Sequence, residues 1–434
     1  MLENTQEKVL EKAILAGLYA DCLDKKDCST EDSMDELEAL LETAGGECMG
    51  KVLQNRHTPD PRTYIGQGKV QEIKELVAMN DCSLVVFDNE LSPSQTRALS
   101  EDIGVRVMDR SSIILDIFAQ RAKTKEGRLQ VELAQYKYML PRLTGMWTHL
   151  VRQTAAGGSS PIGTRGPGET QLETDRRHIR RKIDKLEEEI EAVRKVRNTQ
   201  RRKREKNGMP VVAIVGYTNA GKSTLLNKLT DAGIPAKNRL FDTLDTTTRR
   251  LKISPRTEIL LSDTVGFIRK LPHHLVDAFK ATLEELVYAD VLLHVIDASN
   301  PLWREQVEVV DDLIDQLKAA ETPRIQVFNK CDIMNEEILF KGEYNVEISA
   351  KTGEGIDKLL SKIEHILDNG QRHVVFHLPY SMGGYVQTLH EKSSVIKTEY
   401  MSDCIMVEAV VGPELYGKLR DYIADLDDEN QENI

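Results

Sequence analysis

The stretch Val211-Val212-Ala213-Ile214-Val215-Gly216-Tyr217-Thr218-Asn219-Ala220-Gly221-Lys222-Ser223-Thr224-Leu225-Leu226-Asn227-Lys228-Leu229 decides the fold. Its first five residues form an apolar, β-branched run, the pattern of a buried strand. Gly216 to Ser223 then spells GxxxxGKS, and the leucines that follow recur at helical spacing. Strand, glycine loop and helix in that order cradle a nucleotide phosphate. Glycines let backbone N–H groups curl around a β-phosphate, and the helix N-terminus adds partial positive charge. Lys222 is expected to reach the β- and γ-phosphates, and the Ser223 hydroxyl suits Mg²⁺. Gly216, Tyr217, Thr218, Asn219, Ala220, Gly221, Lys222, Ser223 and Thr224 are therefore nucleotide-binding candidates.

Downstream, three more patterns fall in the order such a site needs. Ile259-Leu260-Leu261-Ser262-Asp263-Thr264-Val265-Gly266 places an aspartate at the end of an apolar strand. Asp263 is the expected partner of the Mg²⁺ shell, Thr264 and Val265 line the turn, and the Gly266 N–H can meet a γ-phosphate. Lys222 and Gly266 are the candidate catalytic groups. Ile325-Gln326-Val327-Phe328-Asn329-Lys330-Cys331-Asp332 places NKxD at another strand end. The Asp332 carboxylate would accept from guanine N1–H and the exocyclic amine, donors that adenine does not offer in that geometry. Hydrogen bonds to a charged acceptor contribute about 1.5–3 kcal/mol each, so two of them select guanine by several decades. The Lys330 stem would cover the base, and Ser349-Ala350-Lys351 would close the base pocket through backbone N–H groups. Between the first two motifs lies Phe241-Asp242-Thr243-Leu244-Asp245-Thr246-Thr247-Thr248-Arg249. A switching segment is needed here, with one threonine hydroxyl completing the Mg²⁺ shell, and four threonines compete for the role. Phe267 follows Gly266, where many GTPases carry the glutamine that orients water. A phenyl ring cannot do that and is expected to withdraw. Slow basal hydrolysis, stimulated by a partner, follows.

Upstream, residues 9–122 alternate short apolar runs (Ala13–Tyr19, Cys48–Gln54, Ser83–Asn89, Val105–Asp109) with helical patterns near 31–43, 67–78, 92–101 and 111–122. That alternation predicts a small, parallel, open sheet with helices on its faces. The 373–434 segment reads as a short α+β tail with an acidic end. The expected fold class is α/β: a P-loop domain with a mostly parallel sheet at 209–369, preceded by a small α/β domain at 1–122 and an antiparallel helical hairpin at 123–208, and followed by an α+β segment at 370–434.

The hairpin rests on periodicity. Leu129, Leu133, Tyr136 and Leu140 recur at spacings of 3 or 4, as do Ile179, Ile183, Leu186, Ile190 and Val193. Two such seams bury each other in an antiparallel pair. The break between them, 155–168, holds five glycines and two prolines and is expected to stay non-helical, with Glu169, Thr170 and Asp175 capping the next helix. The net charge of −12 argues against a nonspecific nucleic-acid coat, yet it is segregated: residues 175–207 hold 14 Lys/Arg against 7 acids, whereas 1–50 hold 13 acids against 4 bases. Gly157, Gly158, Gly163, Arg165, Gly166 and Gly168 of the break, with Arg176, Arg177, Arg180 and Arg181 beyond it, are candidate RNA contacts. No apolar run is long enough to span a membrane, no secretory leader is legible at the start, and six scattered cysteines read as free thiols. A cytoplasmic monomer is expected.

The DTVGF form of the Asp263 motif, the FDTLDTTTR switch, and the upstream PDPRTYIGQGK (59–69), FDNELSPSQ (87–95), LDIFAQRA (115–122), QVELAQYKYMLPRL (130–143) and IGTRGPGETQLETDRR (162–177) resemble the HflX GTPases, translation-associated enzymes related to the Obg group. The resemblance covers roughly residues 10–370. It implies Mg²⁺-dependent hydrolysis of GTP to GDP. It also implies GTP-dependent binding to the large ribosomal subunit and its RNA, and separation of stalled or idle ribosomes into subunits. By likeness to the related Obg switch it favours Thr243 as the Mg²⁺ threonine, with Phe241, Asp242, Leu244 and Asp245 beside the nucleotide. The common switch form is FATLDPTTR; here Asp242 and Thr246 stand where others have Ala and Pro. Two alternatives remain at this stage: a GTP-switched adaptor that docks a protein, and a large-subunit assembly factor.

Overall fold

The computed structural model describes residues 10–24, 27–146, 167–206, 209–230, 240–241, 247–254, 257–271, 275, 286–334, 342, 344–368, 372–411 and 413–423. Strands β1 (Glu11–Ala20), β2 (Gly46–Arg56), β3 (Leu84–Phe87) and β4 (Arg106–Asp109) form a wholly parallel sheet in the order β2-β1-β3-β4. Helices α1 (Glu31–Ala44), α2 (Gln67–Asn80), α3 (Pro93–Ile103) and α4 (Arg110–Arg121) alternate with them. The starts of three of these helices are set locally. Thr30 and Ser92 make reciprocal capping boxes with Ser33 and Gln95, and Asp109 accepts from the Ser112 N–H. Gly45 and Gly104 close α1 and α3 in the left-handed region. The central β3 is buried along its whole length, as a strand covered on both faces must be.

Helices α5 (Lys125–Met146) and α6 (Pro167–Lys206) pack against each other through the predicted seam, to which the structure adds Leu143: Leu129, Leu133, Leu143, Ile179, Ile183 and Leu186 are buried in one cluster, with Tyr136, Leu140, Ile190 and Val193 against it. The sequence reading placed Gly168, Glu169 and Thr170 before this helix; instead α6 starts at Pro167 and takes all three into its first turn. Proline's fixed φ suits a first helical position, where its missing N–H costs nothing. Gly157, Gly158, Gly163, Arg165 and Gly166 lie outside the described residues.

The second sheet joins β5 (Val211–Gly216), β6 (Thr247–Lys252), β7 (Glu258–Asp263), β8 (Val291–Asp297), β9 (Arg324–Asn329) and β10 (Asn345–Glu347) in the order β10-β9-β8-β5-β7-β6. All pairs are parallel except edge strand β6, which runs antiparallel to β7. Helices α7 (Lys222–Thr230), α8 (Trp303–Gln316) and α9 (Ile356–Asp368) cover it. A third sheet, β11-β13-β12, is antiparallel; it comprises β11 (Arg372–Pro379), β12 (Ser394–Tyr400) and β13 (Cys404–Val411), with α10 (Gly383–Lys392) and α11 (Pro413–Lys418). One buried cluster runs without interruption from the first sheet into the second, taking in Ile114, Phe118, Tyr217, Phe241, Phe267 and Ile268. No helix among the described residues is long and apolar enough to cross a membrane.

Candidate functional site

Strand β5 lies between β8 and β7, so the chain leaves it at the point where strand order reverses. In a parallel sheet, the crevice at that point, beyond the carboxyl ends of the strands, takes the ligand. Gly216 ends β5 at φ +154, and a Cβ there would sit 2.2 Å from the Val295 carbonyl oxygen. Asn219 and Gly221 also take positive φ, at 61 and +97, and curl the loop into the first turn of α7. A concave row of backbone N–H groups is the product of that curl. Thr218 buries an Oγ1 that has no hydrogen-bond partner among the described residues. Lys222 is buried, and its ammonium donates to the Gly216 and Tyr217 carbonyls at 3.0 and 2.7 Å. Burial draws its pKa down to about 8, with Asp263 working in the opposite direction. The Gly266 backbone lies so near that a Cβ on it would stand 3.0 Å from the Lys222 Nζ.

Ser223 donates its hydroxyl to Asp263 Oδ2 at 3.1 Å. A hydroxyl and a carboxylate side by side are hard oxygen donors, the set that suits Mg²⁺. Thr264 spends its hydroxyl on the Ile214 carbonyl at 2.7 Å, and Val265 is buried. Asp242, Thr243, Leu244 and Asp245 lie outside the described residues; Phe241 is described and is buried edge-on against Phe118, 4.7 Å between ring centres. Phe267 has withdrawn into the same core and is 1% exposed.

The base side is built from two strand ends. Asn329 is buried and works as a staple: its Nδ2 donates to the Ala220 carbonyl at 2.8 Å, and its Oδ1 accepts from the Ala350 N–H at 2.9 Å. The phosphate loop and the 349–351 turn are thereby held on one residue. Lys330 adopts φ 66 and its ammonium meets Asp297 Oδ2 at 2.6 Å. Asp332 is exposed in the short turn Cys331–Ile333, Ser349 and Ala350 are buried, and Lys351 is exposed.

Three family models match successive stretches of this chain. "GTP-binding GTPase N-terminal" covers residues 31–119, "GTP-binding GTPase Middle Region" covers 121–204, and "50S ribosome-binding GTPase" covers 211–330. A GTPase HflX of Lacrimispora saccharolytica is 47% identical over 423 residues, 97% of each chain. The chain belongs to the HflX GTPase family. An Escherichia coli GTPase HflX is 43% identical over 399 residues, 91% of each chain. Among solved structures, a GTP-binding protein of Sulfolobus solfataricus in complex with GDP aligns over 82% of this chain and 98% of its own, with a TM-score of 0.42 and 25% identity. As an HflX-family P-loop GTPase, the chain is an enzyme of GTP hydrolysis.

Several contacts beside this site follow from no nucleotide-binding motif. The Tyr217 hydroxyl donates to Glu36 Oε1 at 2.6 Å and accepts from the Arg269 N–H at 2.8 Å. Lys270 donates to the fully buried Asp88. Arg110, 2% exposed, reaches Asp88 Oδ1 at 2.8 Å with one nitrogen and Glu36 with another. Burial opposes the charge on Arg110, but Glu36 and Asp88 hold it above its ordinary pKa. Burial likewise opposes ionisation of Asp88, and Arg110 and Lys270 outweigh it. Asp88 lies within FDNELSPSQ, the one signal in the sequence that could have marked it.

The RNA-contact candidates divide. Arg177, Arg180 and Arg181 are exposed on α6, and Arg177 sits 3.7 Å from Glu173. Arg176 is half-buried.

Proposed function

We propose that this chain, when it holds GTP, binds the large ribosomal subunit and separates stalled or idle ribosomes, and that hydrolysis to GDP and phosphate releases it. The observation that carries this reading is the row of exposed arginines, Arg177, Arg180 and Arg181, at the start of a 40-residue helix that leads out of the glycine-rich segment. At about 1.5 Å per residue such a helix is roughly 60 Å long. Guanidinium groups suit both phosphates and splayed bases. The "50S ribosome-binding GTPase" match supports the same partner.

In this reading the protein is divided at 1–122, 123–208, 209–369 and 370–434. The phosphate loop 216–224 binds the triphosphate, and Lys222 and the Gly266 N–H stabilise charge at the γ-phosphate. Ser223, Asp263 and Thr243 would hold Mg²⁺, which would supply positive charge to the triphosphate. Asp332, Lys330 and the 349–351 turn read guanine, while Asn329 keeps that turn fixed to the phosphate loop. With no glutamine after Gly266, water is oriented poorly in the free protein, so basal hydrolysis is slow and the ribosome raises it.

Sedimentation of intact ribosomes with the purified protein tests this. GTP or a nonhydrolysable analogue should move material from the intact-ribosome peak to the subunit peaks, and GDP should not. Intact ribosomes in all three gradients would refute the reading. A phosphate-binding face also loses affinity steeply with salt, with a log–log slope near −0.7 per contact on single strands, where a protein-docking adaptor shows a shallow one.

A further inference from the structure

The carboxyl end of the first sheet, where a parallel sheet ordinarily receives a ligand, is filled by the GTPase unit. Asp88 follows β3, and Asp109-Arg110 stand where β4 passes into α4. Arg110 faces the nucleotide side: with Glu36 and Asp88 it holds Tyr217 of the phosphate loop and Lys270 of the segment after Gly266. That segment is also laced to the phosphate loop by backbone, Thr218 N–H to the Phe267 carbonyl at 2.7 Å and Phe267 N–H to the Gly216 carbonyl at 3.1 Å. Ser29 and Ser33 donate to the Asp88 carboxylate at 2.7 and 2.9 Å, so its position is fixed from the first sheet.

Asp109, the residue before Arg110, faces the other way. Its carboxylate accepts from Tyr138 Oη at 2.8 Å and from Arg142 Nη2 at 3.0 Å, both on α5. The Arg142 guanidinium lies 3.5 Å from the centre of the Tyr138 ring and also donates to the Leu91 carbonyl at 2.9 Å. Two adjacent residues, both about 2% exposed or less, thus grip the nucleotide loop and the hairpin through one short, rigid turn. A buried charged pair tolerates little misalignment before a charge is left without its partner, so a shift at one end is resisted or passed on.

We propose that Glu36, Asp88 and Arg110 are positioning residues of the GTPase site, acting through Tyr217 and Lys270 on the backbone behind Gly266, and that Asp109 carries the state of that backbone to Tyr138 and Arg142 in the C-terminal half of α5. The relay deepens the reading above, because it is how bound GTP would set the arginine-bearing hairpin. It requires an energetic coupling between two sites, which proximity alone does not supply.

The experiment uses the full chain without ribosomes, so its failure would leave the ribosome reading standing. Amide hydrogen exchange is followed over 136–143 with Mg²⁺ and either GDP or a nonhydrolysable GTP analogue. The intact protein should show different protection in the two states. Tyr217→Phe, which keeps the ring and removes only the hydroxyl, should erase that difference; so should Glu36→Gln. Both should change kcat for GTP at least about threefold with KM held within about twofold. Identical exchange of the unaltered protein in both states would overturn the proposal, and that arm needs no variant to fold. A Tyr217→Phe protein that keeps the exchange difference would also overturn it. So would a raised KM at unchanged kcat, the mark of a merely disturbed pocket.

Discussion

Gly221 shows how closely the site is built at the level of one residue. Its φ of +97 is strained for any side chain, and a Cβ there would lie 2.2 Å from Asn329 Nδ2. Gly221→Ala should therefore displace Asn329 and weaken GTP binding roughly tenfold or more, read by titration calorimetry. His294 makes a separate prediction. It is buried in β8 with its Nδ1 3.6 Å from Asp311 Oδ1, too far for a hydrogen bond, and Arg324 has taken that carboxylate. Burial first, then the charges of Arg324 and Lys222, lower its pKa from 6.5 to about 3. Between those values the unfolded chain binds a proton that the folded one refuses, so stability falls as pH drops through 6.5. The loss should be on the order of 1 kcal/mol at pH 5.5 relative to pH 7.5. Chemical denaturation at the two pH values, with His294→Gln as the variant that removes this component, checks it.

Among the elements, the hairpin was the easiest to read and the hardest to bound. Its seam obeys helical spacing, so Leu129 to Leu140 and Ile179 to Val193 were legible as two facing stripes, and they pack as such. Its second helix begins earlier than the glycines suggested, because proline at a first position starts a helix as readily as it ends one. Ile183→Ala removes buried apolar volume from the middle of the seam and should cost about 2–4 kcal/mol locally. Faster amide exchange in 129–140 should report it, with GTP affinity unchanged within about twofold, since Ile183 touches no nucleotide-site residue named above. In the first sheet every expected strand and helix is present, displaced by no more than three residues at any end. There, β-branched runs and capping residues coincide with the true boundaries.

At the scale of the whole molecule, the nucleotide site is not confined to one unit. Phe241, Phe267 and Ile268 are buried in the cluster that also takes in Ile114 and Phe118 of α4, and Lys270 reaches Asp88 beyond β3. The described members of that cluster all lie outside 157–168. Deletion of 157–168 should keep GTP affinity, measured by calorimetry, and abolish subunit separation in gradients; equal separation by the shortened protein would show that this glycine-rich segment does not act on the ribosome.

Sequence alone carried the chemistry of the phosphate loop, the strand–helix alternation of the first sheet and the hairpin seam, because each is written in neighbouring residues at a fixed spacing. GxxxxGKS, NKxD and a 3–4 repeat need only local backbone geometry to become a site or a stripe. Only the tertiary structure decided that Glu36, Asp88 and Arg110 meet Tyr217 and Lys270, and that Asn329 serves as a staple beside its place in a base-reading motif. Those contacts join residues up to 182 positions apart. Their partners are chosen by which charges the folded core leaves buried together, and no periodicity along the chain records that choice.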